Sequence, residues 1–123
     1  VKWFVEEDNS KEAVKLLEKH RNGELQIIVP DITVLELSNA LFWGAKFTET
    51  DLEKTVKIFY DLGLSIVPIN TELVLTAARF MKQDQIASYD ALFLALAQKE
   101  GVPLITADKK HHQKKFYSKI VYL

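Results

Sequence analysis

The chain has 123 residues, 48% hydrophobic and 27% charged, with 16 Lys and Arg against 17 Asp and Glu and a net charge of −1. That composition suits one globular domain spanning residues 1–123 and excludes a disordered or fibrous chain, and no apolar run approaches the roughly 20 residues of a membrane-spanning helix. Cysteine is absent, which excludes disulfide frameworks and thiolate zinc sites and leaves oxygen or imidazole, hence hard ions, as the available metal chemistry.

Taken in chain order, Asn9 or Ser10 caps a predicted helix over residues 11–20, with Ala13, Val14, Leu16 and Leu17 on one face and Gly23 just past its end. Residues 25–29 (LQIIV) read as a buried strand. Pro30 and Asp31 open the next helix, expected to run through Trp43, to stop at Gly44 and to be apolar enough to lie under a sheet. The run Thr48, Glu49, Thr50, Asp51 starts another, with Leu52, Val56, Phe59 and Leu62 at helical spacing and Gly63 as a left-handed stop. Residues 64–69 (LSIVPI) follow as a strand, which Pro68 confines to a sheet edge or ends early. Asn70 caps a helix through Lys82, a polar linker MKQDQIAS follows, and Ser88 caps the helix YDALFLALAQKE, closed by Gly101. A strand VPLITA, a short basic turn and a last strand KIVYL complete the pattern of a parallel α/β sheet.

Three acids, Glu36, Asp90 and Asp108, each stand where an apolar stretch meets a turn or a helix start. Carboxylates there point toward the crevice in which open α/β sheets bind ligands. Gathered together they require a cation, because unpaired like charges raise one another's pKa while a hard divalent ion keeps them all ionised. Each also has a structural explanation. Thr33 and Glu36 have the spacing of a capping box, Asp90 sits in a first helical turn, and Asp108 can cap the turn after its strand. One shared metal pocket accounts for all three together. Asn39 lies three residues beyond Glu36 on roughly the same helical face.

The histidines receive no metal role. His20 is expected as a cation at a helix C-terminus, and the neighbours His111 and His112 cannot face one ligand in regular structure. Trp3, Phe4, Phe42, Trp43, Phe80 and Phe93 lie inside apolar segments and read as core or interface residues. Residues 109–119 (KKHHQKKFYSK) hold five lysines and no acid, so the remainder of the chain sums to −6, from −1 less 5. Such a basic stretch beside an acidic pocket suits a phosphate-rich partner.

The segments VKWFVEE, VPDITVLELSNAL, SYDALFLALA and PLITADKK, in this order and across nearly the whole chain, resemble the successive motif blocks of PIN domains, specifically the small VapC-type toxin ribonucleases. The resemblance implies a three-layer α/β/α sandwich with a central parallel sheet. It also implies Mg²⁺- or Mn²⁺-dependent cleavage of RNA, a cognate antitoxin and a homodimer, while the lack of a membrane-spanning run and of a signal-peptide layout makes a cytoplasmic location the expectation. Glu36, Asp90 and Asp108 match the family's second, third and fourth acids, catalytic and metal-binding. Asn39, Thr106 and Ser88 correspond to supporting polar groups, and Lys109, Lys110 and Lys114 are candidates to steer the RNA backbone. The family's first acid ends an opening strand that would precede VKWFVEE, so a shortened chain is expected, whose loss of one ligand and one core strand can abolish activity. The competing readings are a nuclease-dead PIN fold that binds RNA or protein, and a phosphotransfer domain, which the absence of an Asp-x-Asp pair after a strand disfavours.

Overall fold

The computed structural model describes residues 1–123 and divides them into two compact units, Val1–Val67 and Pro68–Leu123. Helices alternate with short parallel strands through both, the α/β organisation expected of the chain.

In the first unit α1 spans Ser10–Arg21, β1 Ile28–Pro30, α2 Thr33–Asn39, α3 Glu49–Asp61 and β2 Ser65–Val67. Strand β1 pairs in parallel with β2, Ile28 opposite Ser65 and Pro30 opposite Val67. The strand starts later than its apolar run because Leu25 and Gln26 lie outside this pairing; the Gln26 amide instead donates to the Gly63 carbonyl. Pro30 closes β1 rather than opening a helix. It has no N–H to give, and the next amide, Asp31 N–H, donates to the Val67 carbonyl. As Pro68 requires, β2 ends at Val67.

The helix expected to reach Trp43 is α-helical only to Asn39, then widens into a π-helical turn over Ala40–Gly44, marked by the Ala45 N–H donating to the Ala40 carbonyl. Nor is it covered all round. Val34, Leu37 and Leu41 are buried in a cluster with Phe59, whereas Leu35, Phe42 and Trp43 are exposed. The capping box read at Thr33 and Glu36 does not form. Ile32 occupies the N-cap, and the Thr33 hydroxyl is buried without a hydrogen-bond partner. His20 lies in the last turn of α1, as expected, and its ring ties α1 to the start of β1 and the end of α3: Nδ1 accepts the Ile27 N–H at 3.2 Å, and Nε2 lies 2.9 Å from the Leu62 carbonyl.

The start of α3 follows its sequence closely. Thr48 Oγ1 accepts the Asp51 N–H and Asp51 Oδ2 accepts the Thr48 N–H, a complete capping box. These hydrogen bonds from Thr48 hold the Asp51 carboxyl below its usual range. A carboxyl depressed on folding adds stability that is present above its unfolded pKa and lost as pH falls through the folded one. Removing the hydroxyl cap in Thr48→Ala is expected to cost about 1 kcal/mol, read as a lower urea midpoint, while the Thr48 N–H bond to Asp51 Oδ2, which the substitution keeps, preserves most of the acid dependence of that midpoint. An unchanged midpoint contradicts this account of the cap.

The second unit holds α4 (Thr71–Asp84), α5 (Ser88–Glu100), β3 (Leu104–Thr106) and β4 (Ile120–Tyr122). Asn70 caps α4 through its side chain, which accepts the Leu73 N–H. The helix runs past Lys82 to Asp84 and stops where Gln85 turns left-handed, so the predicted linker shrinks to residues 85–87. Ala87 is the N-cap of α5 and Ser88 its first helical residue, displacing Ser88 from the capping role read in the sequence. Helix α5 buries Ala91, Leu92, Leu94, Ala95, Leu96 and Ala97, more than one face of the helix, and packs along α4 with its buried Leu73, Ala77 and Phe80. Strands β3 and β4 pair in parallel from Leu104 with Ile120 to Thr106 with Tyr122. Parallel strands need a connection of roughly a dozen residues or more. Here the basic stretch supplies it as a chain of turns.

Candidate metal centre

Helix α5 and the turn that follows strand β3 bring two carboxylates together. Asp90 is the third residue of α5, in the first turn, where the helix dipole favours an anion. Asp108 lies two residues beyond β3 in a turn that the sequence builds locally. The Thr106 hydroxyl accepts the Asp108 N–H at 3.0 Å, and Asp108 Oδ1 accepts the N–H groups of Lys110 and His111 at 3.1 and 3.0 Å. That turn folds His111 back over the acid, its Nδ1 lying 2.9 Å from Asp108 Oδ2.

Asp90, Asp108 and His111, all partly buried, can each offer one ligand atom such that these atoms lie within 4.8 Å of one another. Two carboxylates and an imidazole form a donor set suited to a divalent cation, with oxygen favouring hard ions and nitrogen favouring transition metals such as Mn²⁺ over Mg²⁺. The group fits the metal expected of the sequence. Burial pushes the Asp108 carboxyl up, but the His111 N–H, the His111 ring and the Lys110 N–H outweigh it and hold the carboxyl below its ordinary range.

Asp108 contributes stability above an unfolded carboxylate pKa of about 3.9 and loses it as pH falls through the lower folded value. In metal-free buffer Asp108→Asn should weaken the acid-side loss of stability, measured as urea midpoints between about pH 3 and 6. A variant with the same pH profile as the parent contradicts the assigned network.

Of the residues singled out in the sequence, Asp90 and Asp108 come together. Glu36 belongs to the first unit, where it is exposed on α2 one turn before the exposed Asn39. Thr106 binds the Asp108 backbone, and Ser88 is exposed at the start of α5. Lys109, Lys110 and Lys114 are exposed; the ammonium groups of Lys109 and Lys114 lie 5.8 and 5.7 Å from the centre of the Tyr122 ring. Reading the sequence missed His111. The available signal was the Asp-x-x-His spacing from Asp108 within a turn, where the periodicities of helix and strand do not apply. His111 meets the Asp108 carboxylate, while the His112 ring is buried against Thr106 and the Asp90 backbone.

A family model of the PIN domain matches residues 1–117. The match covers both units, and the chain belongs to the PIN domain family. PIN domains are generally metal-dependent nucleases that bind divalent cations, and this chain has the corresponding nuclease-like fold with an acidic group able to hold such an ion. No curated protein and no solved structure matches it. None of its helices is long and apolar enough to cross a membrane.

Proposed function

We propose that the protein is a divalent-metal-dependent endoribonuclease of the VapC type, the toxin of a type II toxin–antitoxin pair. The observation that carries the catalytic part is the approach of Asp90, Asp108 and His111 within 4.8 Å in a chain that belongs to a family of metal-dependent nucleases. A bound Mg²⁺ or Mn²⁺ supplies Lewis acidity at a phosphodiester. Asp90 and Asp108 hold the cation, and Glu36 is the further acid to which the family resemblance assigns a catalytic role. The turn that satisfies Asp108 Oδ1 with two backbone N–H groups fixes the direction of its carboxylate. Thr106 orients Asp108, with Ser88 two residues before Asp90 at the start of α5, and Asn39 is the supporting polar group one turn beyond Glu36.

The exposed lysines of the basic stretch attract the phosphate backbone. Lys109→Ala and Lys114→Ala should each weaken RNA binding uniformly across sequences and lower the slope of log affinity against log salt by about 1. Equal slopes in variants and parent remove these lysines from the interface. A cognate antitoxin covering the acids, a homodimer and a cytoplasmic location belong to the same reading.

The functional test is cleavage of single-stranded RNA by the purified protein with Mn²⁺, with and without chelator. The expected result is cleavage with Mn²⁺ and none in its absence. Cleavage that persists in chelator contradicts the proposal, and Mn²⁺ binding without cleavage favours the nuclease-dead binding module instead.

A further inference from the structure

The second unit buries one ionisable ring, His112, 6% exposed. A buried imidazole is costly unless its nitrogens are hydrogen-bonded, and both have partners. Nε2 lies 3.2 Å from the Asp90 backbone carbonyl, which can only accept, so Nε2 carries a proton. In the neutral ring Nδ1 then accepts from the Thr106 hydroxyl at 2.9 Å, and that hydroxyl in turn accepts the Asp108 N–H at 3.0 Å. The backbone completes the clasp: the His112 N–H donates to the Asp108 carbonyl, and the Tyr122 hydroxyl on β4 donates to the His112 carbonyl. Phe93, on α5, meets the ring at 69° with 6.2 Å between centroids.

We propose that His112 is a positioning residue for the metal centre, a two-ended clasp that fixes the backbone of Asp90 on α5 against that of Asp108 beyond β3. The proposal rests on the reading of Asp90 and Asp108 as ligands of one cation. A hydrocarbon side chain would fill the same space. Only a side chain with a donor at one end and an acceptor at the other joins the helix start to the strand end. Coordination tolerates only small misplacement of its ligands, and loss of such outer contacts typically lowers metal affinity by about 10- to 100-fold.

The test compares the parent chain with His112→Phe, which preserves bulk and removes both polar contacts, His112→Gln, which can return an amide N–H to the Asp90 carbonyl, and Asp90→Asn. Each is titrated with Mn²⁺ and followed by amide hydrogen exchange. The clasp predicts that His112→Phe remains folded, exchanges its Asp108 amide faster with α4 amides unchanged, and binds Mn²⁺ about 10- to 100-fold more weakly, with His112→Gln recovering part of that loss. Parental Mn²⁺ affinity in His112→Phe, alongside impaired binding in Asp90→Asn, overturns the clasp and leaves the metal reading standing. Should His112→Phe unfold, His112→Gln decides: affinity no better than about a hundredfold below the parent in a folded His112→Gln chain counts against the clasp, and partial retention supports it. Parental affinity in Asp90→Asn, or a parent that binds no Mn²⁺, overturns the metal reading and the clasp with it.

Discussion

Asp90→Asn and Asp108→Asn should each abolish Mn²⁺-dependent RNA cleavage while leaving the protein folded. The substitution keeps shape and removes the charge that holds a cation, so the loss should exceed the roughly 10- to 100-fold typical of an outer contact. The fold should tolerate it. Asp90 gains about 0.3–1 kcal/mol from the dipole of α5, small beside the roughly 5–15 kcal/mol that stabilises an ordinary domain; its backbone bond to His112 survives the substitution, and the carboxyl oxygen 3.9 Å from the same His112 Nε2 is replaced by an amide of the same shape. Asp108→Asn retains an oxygen able to accept the Lys110 and His111 N–H groups. Cleavage assays paired with thermal melts check both parts, and a folded variant that cuts at the parental rate removes its residue from the mechanism.

Leu94→Ala should act oppositely, costing about 2–5 kcal/mol of stability through the cavity it opens. Leu94 is fully buried on α5, one turn beyond Asp90. Removing its side chain weakens the helix that presents the acid, so activity should fall in step with the folded fraction and recover at lower temperature within the folded range. Urea unfolding should show a lower midpoint at unchanged slope. A midpoint within about 0.5 kcal/mol of the parent, the level of ordinary surface substitutions, contradicts the core assigned around α5.

Where the determinant of an element was local, the sequence disclosed it. The helix opening at the run Thr48 to Asp51, the Asn70 cap and the stop at Pro68 all depend on residues within a few positions of one another, and all are present. Strand limits were less legible, since apolarity marks residues 25–29 while pairing with Ser65–Val67 decides where β1 runs. The π-helical turn at Ala40–Gly44 was invisible for a related reason: its ALFWG sequence is as apolar as a covered helix, yet Phe42 and Trp43 face outward. Thr33 illustrates the hazard of a spacing rule, because the helix starts one residue too early for it to serve as the cap.

The candidate site divides in the same way. Asp90 and Asp108 were legible because a helix start and a strand end advertise themselves by pattern. His111 and His112 were not, since their roles depend on how the turn after Asp108 folds back and on the packing of Phe93, Thr106 and Tyr122 around one ring. Two adjacent residues consequently do different things. One faces the carboxylate, and the other supports the backbone that carries it.

The central claim, that Asp90 and Asp108 grip one divalent cation, is tested most directly by locating Mn²⁺ through its anomalous scattering in crystals of the protein grown with that ion. The account predicts a single strong peak lying against both carboxylates with the His111 ring beside it. A peak elsewhere, or none at saturating Mn²⁺, would contradict it.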